Sequence, residues 1–204
     1  SFSLYVLVSY GRDGLKPSEA GVKYILLGAF ASALLLYGIS QVYGLLGTTR
    51  FEGISEALAA TPDISPGVIV GPVMIIAGLG FKVAAVPFHM WAPDAYEGAP
   101  IPVTTWLAVG SKAAAFALIL RLFSEALMPA AADWQVIIVI LAALTMVVGN
   151  LGALVQTNIK RLLAYSSIGQ VCYLLLGVAA MGLINSGGGV TVLPDASNAV
   201  ILHM

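Results

Sequence analysis

The sequence predicts an all-α, polytopic transmembrane helix bundle with one discontinuous helix. Three observations predict it. Of the 204 residues, 59% are hydrophobic and only 9% are charged, against roughly 25% charged residues in a soluble domain. The apolar residues gather in several runs, each long enough to cross a hydrocarbon core of about 30 Å. One run, "GLGFKVAAVPFHMW" at 78–91, carries a lysine, a proline and a histidine inside apolar sequence. Backbone polar groups must be satisfied within lipid, so the runs are helices.

The elements follow in order, as one membrane domain over 1–204. Residues 2–10 are apolar but too short to span, and no basic segment precedes them as in a signal peptide. Full spans are expected over about 22–47, 66–91, 101–124, 134–156 and 162–184. The segment 48–65, with Glu52, Glu56 and Asp63, reads as a loop. "SGGG" at 186–189 followed by Pro194 reads as an exposed connection. A further helix opens near 198–204. The chain starts on an apolar run at Ser1 and stops inside another, so it reads as an internal fragment of a longer protein.

Composition excludes several function classes. A formal net charge of −1 gives no basic surface for nucleic acid. Cys172 is the one cysteine and His89 and His203 are the two histidines; an intrachain disulfide, an iron–sulfur cluster and a zinc or haem site on this chain are not expected. No nucleotide fingerprint or Walker loop is present.

The charges inside the spans carry the functional signal. Lys82 lies deep in its run and Lys112 near the middle of the next, while Lys23 sits early in the first. A lysine at mid-bilayer costs about 2.5–3.5 kcal/mol on insertion scales. No Asp or Glu falls in the central part of a complete span; Asp94 and Glu97 are placed in a loop. Pro87 removes a backbone donor and clashes with the carbonyl four residues back, and Gly78 and Gly80 loosen the same helix. The prediction is a broken helix of the kind that forms ion sites in transporters. His89, seven residues after Lys82, would share its face of a continuous helix at about 100° per residue. Burial disfavours the charged form of a lysine, so Lys82 and Lys112 suit a proton path. Tyr165, Ser166 and Ser167 would extend it. Arg12, Lys16, Lys160 and Arg161 would face the cytoplasm under the positive-inside rule.

Each feature has a plainer reading. A lysine near a helix end snorkels, His89 bonds a carbonyl, and hydroxyls inside helices bond backbone. Gly-rich stretches such as "LLLGVAAMG" serve close helix packing. "NIKR" at 158–161 anchors the interface.

The block 78–122, "GLGFKVAAVPFHMWAPDAYEGAPIPVTTWLAVGSKAAAFALILRL", closely resembles the antiporter-like membrane subunit N of bacterial respiratory complex I, called subunit 2 in mitochondria. "VKYILLGAFASALLLYG" at 22–38 and "QTNIKRLLAYSSIGQVCYLLLG" at 156–177 fit the same family. Sister subunits L and M and the cation/proton antiporter subunits share the buried lysines and the "PFH" turn, but usually not "MWAPDAYEGAP". The resemblance implies a piece of an inverted-repeat fold, with 66–91 as the broken helix of the first repeat. It implies that Lys82 is the central lysine of that helix, Lys112 the connecting lysine, His89 the histidine beside the break, and Lys23 a lysine early in the preceding span. It further implies a proton-translocating, non-redox subunit of an NADH:quinone oxidoreductase in the bacterial inner membrane. Neighbouring membrane subunits would be its partners. Flavin, iron–sulfur clusters and quinone would sit on other subunits, with no cofactor or metal on this chain. A multisubunit cation/proton antiporter is the alternative; a passive scaffold would have no use for deep lysines.

Overall fold

The structure is a computed structural model that describes residues 2–11, 15–60, 66–183 and 192–203. Among those residues it is helical, without a strand. The helices are α1 (Phe2–Val8), α2 (Leu15–Leu46), α3 (Phe51–Ala60), α4 (Pro66–Val83), α5 (Trp91–Gly98), α6 (Ile101–Trp106), α7 (Lys112–Arg121), α8 (Ala131–Leu154), α9 (Ile159–Leu183) and α10 (Val192–His203). α6 and α7 belong to one rod, joined by a π-helical turn over Leu107–Ser111 and prolonged by a second over Leu122–Ala126. Four helical stretches are long and apolar enough to cross a membrane: Pro17–Leu46, Ile101–Ala126, Met128–Leu154 and Ile159–Gly182. Ile69–Val83 is shorter. The span expected over 66–91 is thus α4 followed by a turn that leads into α5 at Trp91.

α2 and α4 run antiparallel, and so do α8 and α9. Glycines set the spacing where backbones meet. A Cβ at Gly78 would lie 2.6 Å from Leu35 Cβ and 2.9 Å from the Ala31 carbonyl oxygen. A Cβ at Gly149 would lie 2.9 Å from the Gly169 nitrogen. Small residues allow this approach in membranes, where van der Waals packing replaces the hydrophobic drive. The outer faces carry exposed apolar side chains, among them Leu26, Phe30 and Leu36 on α2 and Val136, Ile140 and Val147 on α8. These faces suit lipid.

α4 stops at Val83 in a Schellman cap. The Ala84 N–H donates to the Phe81 carbonyl at 3.1 Å, and the Ala85 N–H to the Gly80 carbonyl at 2.8 Å. Ala84 takes the left-handed position at φ 61°, where glycine is usual and a side chain costs about 1–2 kcal/mol. Pro87 explains the stop. A helix continuing to residue 87 would drive the proline ring into the Val83 carbonyl, four residues back. Side chains take up freed backbone groups. Trp91 Nε1 donates to the Phe81 carbonyl at 2.9 Å, and Thr145 Oγ1 accepts from the Val86 N–H at 3.0 Å.

Several expectations are corrected here. Gly78 lies in regular helix and serves close packing against α2, while the Gly80 carbonyl is the cap acceptor where regular bonding ends. Asp94 and Glu97 lie in helix α5, not a loop. Residues 51–60 form α3, an amphipathic helix that buries Ile54 and Leu58 and exposes Glu52 and Glu56. Lys23 is in the third turn of α2, because the helix begins at Leu15. The final helix begins at Val192 and includes Pro194, which the sequence reading placed in a connection. Asp63, Arg12 and the "SGGG" stretch lie outside the described residues.

Candidate functional site

The site is built around the break and the rod that follows it. Lys112 opens α7 directly after the π-helical turn. Such turns interrupt regular bonding and occur often at functional positions. The register turns the Lys112 side chain inward, and the residue is 7% exposed. Its Nζ donates to the Ser167 carbonyl at 3.0 Å and to Ser167 Oγ at 2.6 Å. A cleft of about 250 Å³ adjoins it, lined by Val109, Phe116, Ser167, Gln170 and Leu174 among others. A cation thus sits against neutral oxygens, which favour its charged form less than a carboxylate would.

Lys82 occupies the last turn of α4 and is partly buried. Its Nζ lies 6.0 Å from the Tyr5 ring centre and 5.8 Å from the Phe81 ring centre. Aromatic faces attract a cation at such distances. His89 lies beyond the cap, so the one-face relation to Lys82 expected from a continuous helix does not hold. Its Nδ1 is buried without a hydrogen-bond partner among the described residues, and its ring centre is 6.4 Å from that of Tyr165. Tyr165 also packs where a Cβ on Gly152 would go. Ser166 is exposed. Its neighbour Ser167 meets Lys112 instead, because the two serines point about 100° apart on α9.

Lys23 belongs to a different group. At the end of the bundle where α2 begins, Lys23 Nζ reaches Glu19 at 2.7 Å and Asp94 at 2.9 Å. Arg161 Nη1 reaches Asp94 at 2.9 Å and Glu97 at 3.1 Å. Lys160 Nζ donates to the carbonyls of Glu97 and Ala99, at 3.4 and 3.3 Å, at the C-terminal end of α5. A cation there also favours the helix dipole. Glu19, Lys23, Asp94, Glu97 and Arg161 line a cavity of about 280 Å³. Sequence reading missed this clamp. Its partners are separated by up to 71 residues, and no local spacing announces such a pair. Among the described residues, no group of three or more His, Cys, Asp or Glu is arranged to hold a metal ion.

The NADH:quinone oxidoreductase/Mrp antiporter transmembrane family matches residues 1–193. The chain belongs to this family. NADH-quinone oxidoreductase subunit N of Rhodospirillum rubrum is 57% identical over 180 residues, covering 88% of the chain and 37% of that relative. A chain of respiratory complex I from Thermus thermophilus is 37% identical with a TM-score of 0.73, covering 98% of this chain and 42% of that one. A chain of the Mrp complex from a Dietzia species is 28% identical with a TM-score of 0.76, covering 98% and 37%. The resemblance read from residues 78–122 is borne out, as is the all-α antiporter-like membrane fold. The chain spans well under half the length of the curated relatives it matches, 37% in the Rhodospirillum case.

Proposed function

We propose that the chain carries proton-relay machinery of a subunit N of NADH:quinone oxidoreductase, in the bacterial inner membrane. The observation that carries the reading is Lys112, a buried lysine held by one serine behind a π-helical turn. Lys82 and His89, on either side of the Schellman cap, supply two further groups able to take and release protons. The segment after a helix break is where irregular backbone and polar groups meet inside a membrane protein. Redox chemistry takes place elsewhere in the complex. Flavin, iron–sulfur clusters and quinone belong to other subunits, and neighbouring antiporter-like membrane subunits are the partners. The end bearing Lys160 and Arg161 faces the cytoplasm. The identity of 57% to a subunit N supports this reading over a cation/proton antiporter, whose Dietzia counterpart stands at 28%.

The test is Lys82→Ala in the intact complex, reconstituted in liposomes after assembly is verified. Proton translocation coupled to quinone reduction falls. Lys82→Arg does not restore it fully, because arginine keeps its proton in proteins. Wild-type rate and proton-to-electron ratio in assembled Lys82→Ala would remove Lys82 from the path. Dependence of transport on sodium would favour the antiporter reading.

A further inference from the structure

Two buried side-chain atoms in the described structure lack a hydrogen-bond partner: His89 Nδ1 and the Tyr96 hydroxyl. Both belong to the short stretch that follows the break. Tyr96 is the more deeply placed, at 2% exposure. Other buried polar groups nearby are satisfied. Trp91 donates to Phe81, and Thr145 accepts from Val86 while donating to Leu141 at 2.6 Å. A buried hydroxyl without a partner costs roughly 1–3 kcal/mol, and native structures keep few such groups.

The position of Tyr96 gives the hydroxyl a use. It faces the Ser167 side chain at hydrogen-bonding range, although the pair falls short of a full hydrogen bond. Ser167 is the residue that holds Lys112. An ammonium donates only, so Ser167 Oγ acts as acceptor toward Lys112 and its own proton is free to point elsewhere. Directed at the phenol, that proton meets the Tyr96 oxygen. The Ser167 lone pairs then face Lys112, and a Lys112–Ser167–Tyr96 chain is complete. Tyr96 is carried by α5, the helix whose Asp94 and Glu97 are gripped by Lys23 and Arg161. The clamp fixes the backbone that delivers the phenol.

We propose that Tyr96 is a positioning residue for the proton path, orienting the Ser167 hydroxyl that receives Lys112 and so linking Lys112 to α5. The proposal rests on the reading of Lys112 as a relay group. No proton is created or lost in the link; the serine and phenol exchange hydrogen-bond roles while both stay neutral.

The experiment uses the intact complex in liposomes and measures protons moved per electron alongside quinone-reduction rate. Tyr96→Phe keeps the buried ring and removes only the hydroxyl. It lowers coupled proton movement about tenfold, within the range of contact couplings, in a complex that assembles and melts as the wild type. Ser167→Ala does the same, and Ser167→Thr, which keeps a hydroxyl, restores most of it. Tyr96→Phe combined with Ser167→Ala is no worse than either alone, because both break one link. Wild-type proton movement in assembled Tyr96→Phe, or losses that multiply in the double variant, would overturn the proposal. Lys112→Ala is run beside them. If it stops translocation while Tyr96→Phe does not, the link fails and the relay reading stands. If Lys112→Ala is silent, the relay reading itself falls.

Discussion

Lys23 and Lys112 are the same residue type in two surroundings. Lys23 is half exposed at the end of the bundle and meets two carboxylates, Glu19 and Asp94. Lys112 is buried and meets one serine through its carbonyl and hydroxyl. On the function proposed above, the difference separates a cation that holds structure from one that relays protons. A carboxylate neighbour stabilises the ammonium and keeps its proton in place. A hydroxyl and a carbonyl satisfy the donors with far less electrostatic grip, so little holds the proton when the surroundings change. Placing such a lysine deep in the bilayer is costly, and a passive helix pair would pack as well with leucine there. The surface group, by contrast, joins α2, α5 and α9 through one carboxylate, Asp94, which accepts from Lys23 and Arg161 together.

The strongest way to break this comparison is to neutralise each lysine in the intact complex. Lys112→Met lowers coupled proton translocation at least about tenfold, the scale on which proton-transfer groups act. Lys23→Met leaves it within about threefold, as expected for loss of an exposed ion pair. Proton uptake in sealed liposomes, normalised to quinone reduction, reads both. Equal losses would show that Lys23 belongs to the path, as the family resemblance implies, and that its carboxylates are proton partners rather than anchors.

The two surroundings were unequally legible in the sequence. Lys112 stood out because a charge in an apolar run is visible without any fold. Pro87 likewise marks a helix stop through local sterics alone. Residues 51–60 give a loop on sequence alone because ten residues with two glutamates fall below what an apolar run reveals; only their packing side, Ile54 and Leu58, makes them an amphipathic helix. The cap at Ala84 left no trace, since alanine carries no preference for a left-handed backbone. The clamp was invisible for another reason. Asp94 and Glu97 lie 67 and 64 residues from Arg161, and "NIKR" has an ordinary role as an interfacial anchor. Ser166 and Ser167 are equal candidates in the sequence, and only the helix register decides which of the two meets Lys112.

The clamp is sharpened by Arg161→Met, which removes two carboxylate contacts and keeps the apolar stem. Asp94 retains Lys23, while Glu97 loses the ion pair described here. Melting of the solubilised complex, or of this subunit within it, shifts by about 1 kcal/mol, the upper end for pairs that solvent partly screens. Raising ionic strength narrows the gap between variant and wild type, since screened pairs contribute less to both. Quinone reduction with intact proton stoichiometry in the same variant marks the clamp as structural. A collapse of stoichiometry without a change in melting would place Arg161 in the path instead.

The smallest effect is expected from Glu19→Gln. Glu19 and Lys23 are four residues apart on α2, an exposed helical pair with side chains 62% and 45% accessible. Holding two long side chains in one geometry costs entropy that offsets much of the attraction in water. Lys23 keeps Asp94, which is only 25% accessible, so the link from α2 to α5 survives. Melting temperature and proton stoichiometry both stay at wild-type values, at low and at high salt. A Glu19→Gln complex that loses as much stability as Arg161→Met would mean that the outer arm carries the clamp. The contrast between a screened surface pair and a partly buried one would then fail at the place where it is easiest to measure.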